Sequence, residues 1–107
     1  MSKLGIAILI AYAAVVPAGT SSVEFNRENA KAMERMMSAM HQPSTGDVDR
    51  DFVSMMTPHH MGAIEMAQLE LRYGHNEQLR RMAQEIIVTQ KQEIEAMSLA
   101  INAGQKQ

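Results

Sequence analysis

Two adjacent histidines, His59 and His60, follow a proline in a segment that also contains several methionines. Imidazole nitrogen and thioether sulfur are both metal ligands, and thioethers select soft ions such as Cu(I) and Ag(I). Apolar residues recur here at helical spacing, so a wheel of about 100° per residue defines one broad inward face, with His60 at its edge and Met61 pointing the opposite way. The residues of that face are Phe52, Met56, His59, Ala63, Met66, Ala67 and Glu70. We therefore expect both histidines to point inward or partly inward.

The two histidines project about 100° apart on a helix, so a single metal ion would use only one of them. A methionine one turn away would join it, either Met56 for His60 or Met55 for His59. Met97 on the following helix is a further candidate ligand. The pair then either serves two sites or provides one ligand and one supporting group.

Pro58 restricts the backbone immediately before the histidine pair. A proline inside a helix provides no backbone donor, and its ring crowds the carbonyl four residues back, here that of Ser54. The helix therefore either bends at Pro58 or restarts there with Thr57 as its N-cap.

A second group of soft ligands lies between Met33 and His41, where four methionines and a histidine fall within roughly two helical turns. Methionine on a helix stripe commonly fills gaps in a core, although leucine would do so with better-defined rotamers. Both roles stay open, and Met36, Met40 and His41 are the candidate ligands of this group.

The composition favours copper over zinc and binding over catalysis. The chain has 107 residues with 11 methionines, no cysteine and a net charge of −2, so it offers no disulfide framework and no electrostatic attraction for nucleic acid. Zinc would require more His, Asp or Glu side chains in tetrahedral reach, whereas thioethers suit Cu(I). No di-iron Glu-x-x-His pair, His-Glu-x-x-His motif, phosphate loop or nucleophile elbow occurs, so we expect no enzymatic activity.

The first residues have the pattern of a secretory signal peptide. Lys3 precedes an apolar run over residues 4–16 that is too short to cross a bilayer comfortably, and Val16-Pro17-Ala18 resembles a cleavage site. We expect residues 1–18 to be removed after Ala18, which places the protein in the periplasm or outside the cell. The alternative is an uncleaved segment, which would be the chain's only membrane attachment.

The remaining chain predicts a single all-α domain, an antiparallel bundle of three helices. Residues 19–46 form a Met-rich helix and a linker, with Ser21 as N-cap of a capping box and the helix ending near His41. Residues 47–104 form the two-helix core, because aspartates at its start favour a helix N-terminus and Gly74 offers a left-handed residue to end that helix near Tyr73.

The third helix should begin after Asn76 as N-cap and close near Gly104. Its inward face is apolar except for Gln90 and Glu93. A buried carboxylate without a partner is costly, so Glu93 should contact His59 or His60 across the bundle, a metal, water or another copy of the chain. We also expect self-association to a homo-oligomer to complete the bundle.

Residues 47–100 carry a family resemblance. The matching positions are Phe52, Met56, Pro58-His59-His60, Ala63-Ile64, Met66-Ala67, Leu79, Ala83, Ile87, Gln90, Glu93-Ile94 and Met97. In these positions the chain resembles the bacterial domain-of-unknown-function family 305, which includes CopM-type exported copper-binding proteins. The resemblance implies a ferritin-like bundle and, for some members, periplasmic copper or silver binding. By position it points to Met56, His59, His60, Met66 and Met97 as ligands.

Together these features predict an exported protein that holds copper as Cu(I), with Cu(II) or Ag(I) as alternatives, through methionine and histidine. Its role would be copper sequestration or delivery, with a periplasmic copper-handling protein as partner. The alternative is a Met-rich helical protein-interaction module without metal, since methionine also forms adaptable binding surfaces.

Overall fold

The computed structural model describes residues 18–104, which form three helices and no strand. The helices are α1 (Ala18–Met40), α2 (Val48–Tyr73) and α3 (Glu77–Gly104). Ion pairs Glu28–Arg72 at 2.9 Å and Arg35–Glu65 at 2.8 Å show that α1 and α2 are antiparallel. The all-α helical bundle predicted from the sequence is confirmed. The predicted signal segment lies outside the described residues, apart from Ala18.

The start of α1 differs from the predicted capping box. The helix begins at Ala18, so Ser21 lies inside its first turn and is buried instead of capping the N-terminus. No residue from Ala18 to Ser21 excludes helical geometry, and the helix extends back through them. At its other end α1 stops at Met40, one residue before His41.

The start of α2 is held by two aspartates. The Asp47 carboxylate accepts hydrogen bonds from the backbone N–H groups of Asp49 at 3.0 Å and Arg50 at 3.3 Å, which makes it the N-cap. Asp51 accepts from Thr45 N–H at 3.0 Å and thereby ties the preceding loop to the first turn. From there α2 continues through Pro58 as one helix, so the predicted alternative of a restart at Thr57 is wrong.

At the connection between α2 and α3, an arginine satisfies the end of α2, whereas the sequence predicted a left-handed glycine there. Gly74 is extended, with φ −77° and ψ 156°, so that prediction is wrong. The Arg80 guanidinium instead donates to the carbonyls of Leu71 at 2.5 Å and Gly74 at 3.1 Å, satisfying acceptors at the helix end. The predicted N-cap of α3 is confirmed, because Asn76 Oδ1 accepts from Leu79 N–H at 3.0 Å.

Helix α2 is the central element. It packs against both α1 and α3, whereas the backbones of α1 and α3 make no contact within residues 18–104. Its buried residues accordingly lie on two sides and include Ile64 and Leu69, which the single predicted face omitted, while Phe52 of that face is exposed. Five apolar side chains form the buried core of the described chain: Ala32, Ile64, Ala67, Leu69 and Ala83.

The expected self-association stays a prediction, which sedimentation equilibrium tests.

None of the described helices is both long enough and apolar enough to cross a membrane.

Candidate metal centre

His60 and Glu93 join α2 to α3. His60 Nε2 lies 2.5 Å from Glu93 Oε2, and because a carboxylate accepts, Nε2 carries the hydrogen and donates it. The imidazole is 13% exposed and the carboxylate 52% exposed, so the contact lies at the edge of the helix interface. A contact between Glu93 and His59 or His60 across the bundle is one of the alternatives predicted from the sequence, and the structure confirms it for His60.

The other ring nitrogen of His60 has no partner. Nδ1 is buried and accepts no hydrogen bond from the described residues, a condition shared there only by Asn29 Oδ1 on α1. When Nε2 donates to the carboxylate, Nδ1 of the neutral ring carries the lone pair. A histidine whose second nitrogen is held by a carboxylate is the usual arrangement around a metal-binding imidazole. His60 therefore has the hydrogen-bonding pattern of a ligand that would bind through Nδ1.

The register of α2 and α3 places two methionines one turn from this pair. The helices run in opposite directions, so moving four residues back from His60 and four forward from Glu93 reaches Met56 and Met97 at one level. Both methionines are half-buried. Met97 also lines a cavity with Phe52 on α2, so its side chain faces α2. Met56, His60 and Met97 are thus the predicted ligands that the register of α2 and α3 places within one helical turn of each other along the interface.

His59 has a different environment from the one predicted. It is exposed, and its ring centroid lies 6.1 Å from that of His60 with the planes tilted by 59°. The expectation that His59 points inward is wrong, because α3 packs against the side of α2 that carries His60. His59 is therefore placed at the rim of the site.

Met66 lies apart from the Met56, His60 and Met97 group. It is 42% exposed and lines a separate apolar groove with Phe25 of α1 and Met82 of α3. Ten residues separate it from Met56, which is roughly 15 Å along a helix. The structure does not bring Met66 into one site with Met97.

Of the remaining predicted ligands, Met36 and Met40 lie on α1, on the opposite flank of α2, and His41 follows the end of α1. Met36 is half-buried against α2, Met40 is half-buried at the end of α1, and His41 is exposed just beyond it. Met36 shares a cavity with Met61, a methionine that the helical wheel had set aside as pointing outward. The adjacent Gly62 was the available signal, because a glycine within a helix often marks a close approach by another element.

Within residues 18–104, no three side chains from His, Asp and Glu gather as a metal-binding group. Beside His60, the soft ligands that the described residues offer at this level are the sulfurs of Met56 and Met97. The combination of one imidazole with thioethers suits a soft ion.

Comparison with known proteins identifies a family. The family model described as "Domain of unknown function (DUF305)" matches residues 12–101. No curated protein matches the chain.

Proposed function

This chain belongs to the DUF305 family, and we propose that it is an exported copper-binding protein that holds Cu(I) between α2 and α3. His60 Nδ1 carries the proposal, because it is a buried imidazole nitrogen without a hydrogen-bond partner among the described residues. His60 would bind through this atom, with Met56 and Met97 as the sulfur ligands nearest in register. Glu93 would fix the orientation of the ring from the other side.

The proposed role is sequestration or delivery of copper without catalytic turnover, in the periplasm or outside the cell. A neutral imidazole with thioethers favours Cu(I) and Ag(I) over hard ions. His59 is exposed beside the proposed site, and in this role it would meet an incoming ion or a copper-handling partner protein.

A Cu(I) competition titration against a chromophoric chelator tests the proposal on the purified protein. We expect binding at micromolar or lower free copper, and His60→Ala should weaken it at least tenfold. His59→Ala should have a smaller effect, because that ring is exposed. His75→Ala serves as the matched control, since His75 is exposed in the α2–α3 connection. The proposal fails if the wild type ignores micromolar Cu(I) or if His60→Ala binds as tightly as His75→Ala.

The second candidate is a metal-free interaction module, and one observation favours it. The groove that contains Met66 is an open cavity of about 320 Å³, lined mainly by apolar side chains of α2 and α3. Such a surface suits the apolar face of a partner helix. Met82→Glu would abolish partner binding under this alternative and leave Cu(I) affinity unchanged under the copper proposal, so the two functions are separable.

A further inference from the structure

The interface between α1 and α2 contains a pair of methionines on the opposite flank from His60. Met36 of α1 and Met61 of α2 line one cavity of about 170 Å³. Met36 is half-buried and Met61 is 46% exposed, so the Met61 side of the cavity is the side open to solvent.

Gly62 determines where the sulfur of Met36 lies. A Cβ atom built at position 62 would overlap Met36 Sδ, so the thioether occupies the space that a side chain would fill. This brings the sulfur against the backbone of α2 at Gly62, the residue that follows Met61. Ala32 and Ala39 line the same cavity and leave it open between the two helices.

The charges around the cavity are compatible with a monovalent cation. Arg35 is the only basic residue in the lining of this cavity, and it is neutralised by Glu65 at 2.8 Å. Its guanidinium is therefore compensated, and no unpaired positive charge lines the cavity. Sulfur is a soft donor, and the remaining lining near it is apolar, including Pro58.

We propose that Met36 and Met61 form a second site for Cu(I) or Ag(I), separate from the His60 site. The choice of ion rests on the proposed function, but the ligands are different side chains on a different face of α2. Two neutral thioethers can hold a soft monovalent ion, while hard divalent ions find no carboxylate or imidazole cluster there. In this site Met61 is the ligand that solvent can reach, and Met36 is the ligand that Gly62 holds in position.

Silver nitrate titration of the full chain with ¹³C-methyl-labelled methionine tests this site in chloride-free buffer. The Met36 and Met61 methyl resonances should shift together, and they should do so equally in His60→Ala. In Met36→Leu, a change that preserves side-chain volume, Met61 should need at least tenfold more silver for the same shift. Met37→Leu is the matched control, because Met37 is exposed on the same helix.

A second variant keeps both sulfurs and moves one of them. Gly62→Ala should displace Met36 Sδ and weaken the silver response of both methyls, while circular dichroism reports whether the helices persist. The inference is overturned if Met61 responds identically in Met36→Leu and wild type, or if neither methyl responds to micromolar silver. A response confined to Met36 and Met61 would support this site and refute the His60 site, and a response confined to Met56 and Met97 would do the reverse.

Discussion

At the scale of single residues, the two adjacent histidines have different positions and therefore different roles. His60 donates to Glu93 and keeps a buried, unpartnered nitrogen, whereas His59 faces solvent. A rotation of about 100° around one helix separates these environments. The difference makes Glu93 a positioning residue for the proposed copper site.

Glu93→Gln should lower Cu(I) affinity by 10–100-fold, the range typical for loss of a carboxylate that orients a ligating histidine. The amide cannot provide the charged acceptor that holds His60 Nε2. A chelator competition titration measures the change. Glu95→Gln is the control, because Glu95 is exposed on the same helix. Equal affinities of the two variants would show that the carboxylate does not support the site.

At the scale of elements, the loop before α2 is anchored by one carboxylate. Asp51 accepts from Thr45 N–H, from the Thr45 hydroxyl at 2.7 Å and from the Ser44 hydroxyl at 3.0 Å. The Thr45 backbone N–H and these hydroxyls lower the pKa of Asp51 below its ordinary value of 3.8. Gly46, with φ 84°, supplies the left-handed turn that lets this loop fold back.

Asp51→Asn should destabilise the protein at pH 7 and lose that effect in acid. A carboxylate with a lowered folded-state pKa stabilises fully above its unfolded value, near 3.8, and the contribution is lost as the pH falls toward the lower folded value. Urea unfolding of wild type and variant at pH 7 and in steps below pH 4 measures the difference. Asp49→Asn is the control, since it removes a charge in the same helical turn. A gap between wild type and Asp51→Asn that is independent of pH would contradict the expectation.

At the scale of the whole molecule, the backbones of α1 and α3 each lie against α2 and not against each other, while Phe25 of α1 lines one groove together with Met82 of α3. The buried alanines at the two interfaces, Ala32 at 4% exposure and Ala83 at 3%, belong to different halves of a small core. Small cores with separate halves open locally. The proposed copper site lies between α2 and α3 and the methionine pair lies between α1 and α2, so we expect the two to respond separately when one outer helix is released.

Ala32→Phe should release α1 while α3 remains docked, and Ala83→Phe should do the reverse. A large side chain forced into a closely packed interface costs roughly 1–3 kcal/mol, so amide exchange in the released helix should accelerate about tenfold. Hydrogen exchange resolved by helix measures it. Uniform acceleration across all three helices in either variant would show that the molecule opens as one unit instead.

Local signals were sufficient to predict most of the helical framework. The acidic start of α2 at Asp47 and the cap of α3 at Asn76 follow from side chains next to the backbone groups they serve. The predictions of an N-cap at Ser21 and a left-handed residue at Gly74 were wrong because each considered only neighbouring residues. A helix can extend past a capping residue, and an arginine from the next helix can satisfy a terminus without a left-handed glycine.

By itself the sequence determined the three helices and which side chains carry imidazole and thioether groups. Apolar periodicity, helix caps and side-chain chemistry all depend on residues that are close together in the chain. Only the tertiary structure decided which of these ligands meet. The side of α2 that α3 covers selects His60 over His59 and aligns Met56 with Met97, while Gly62 admits Met36 beside Met61. Which side of a helix is covered depends on contacts between distant segments, and a helix buried on two sides has no single face to read from its own pattern.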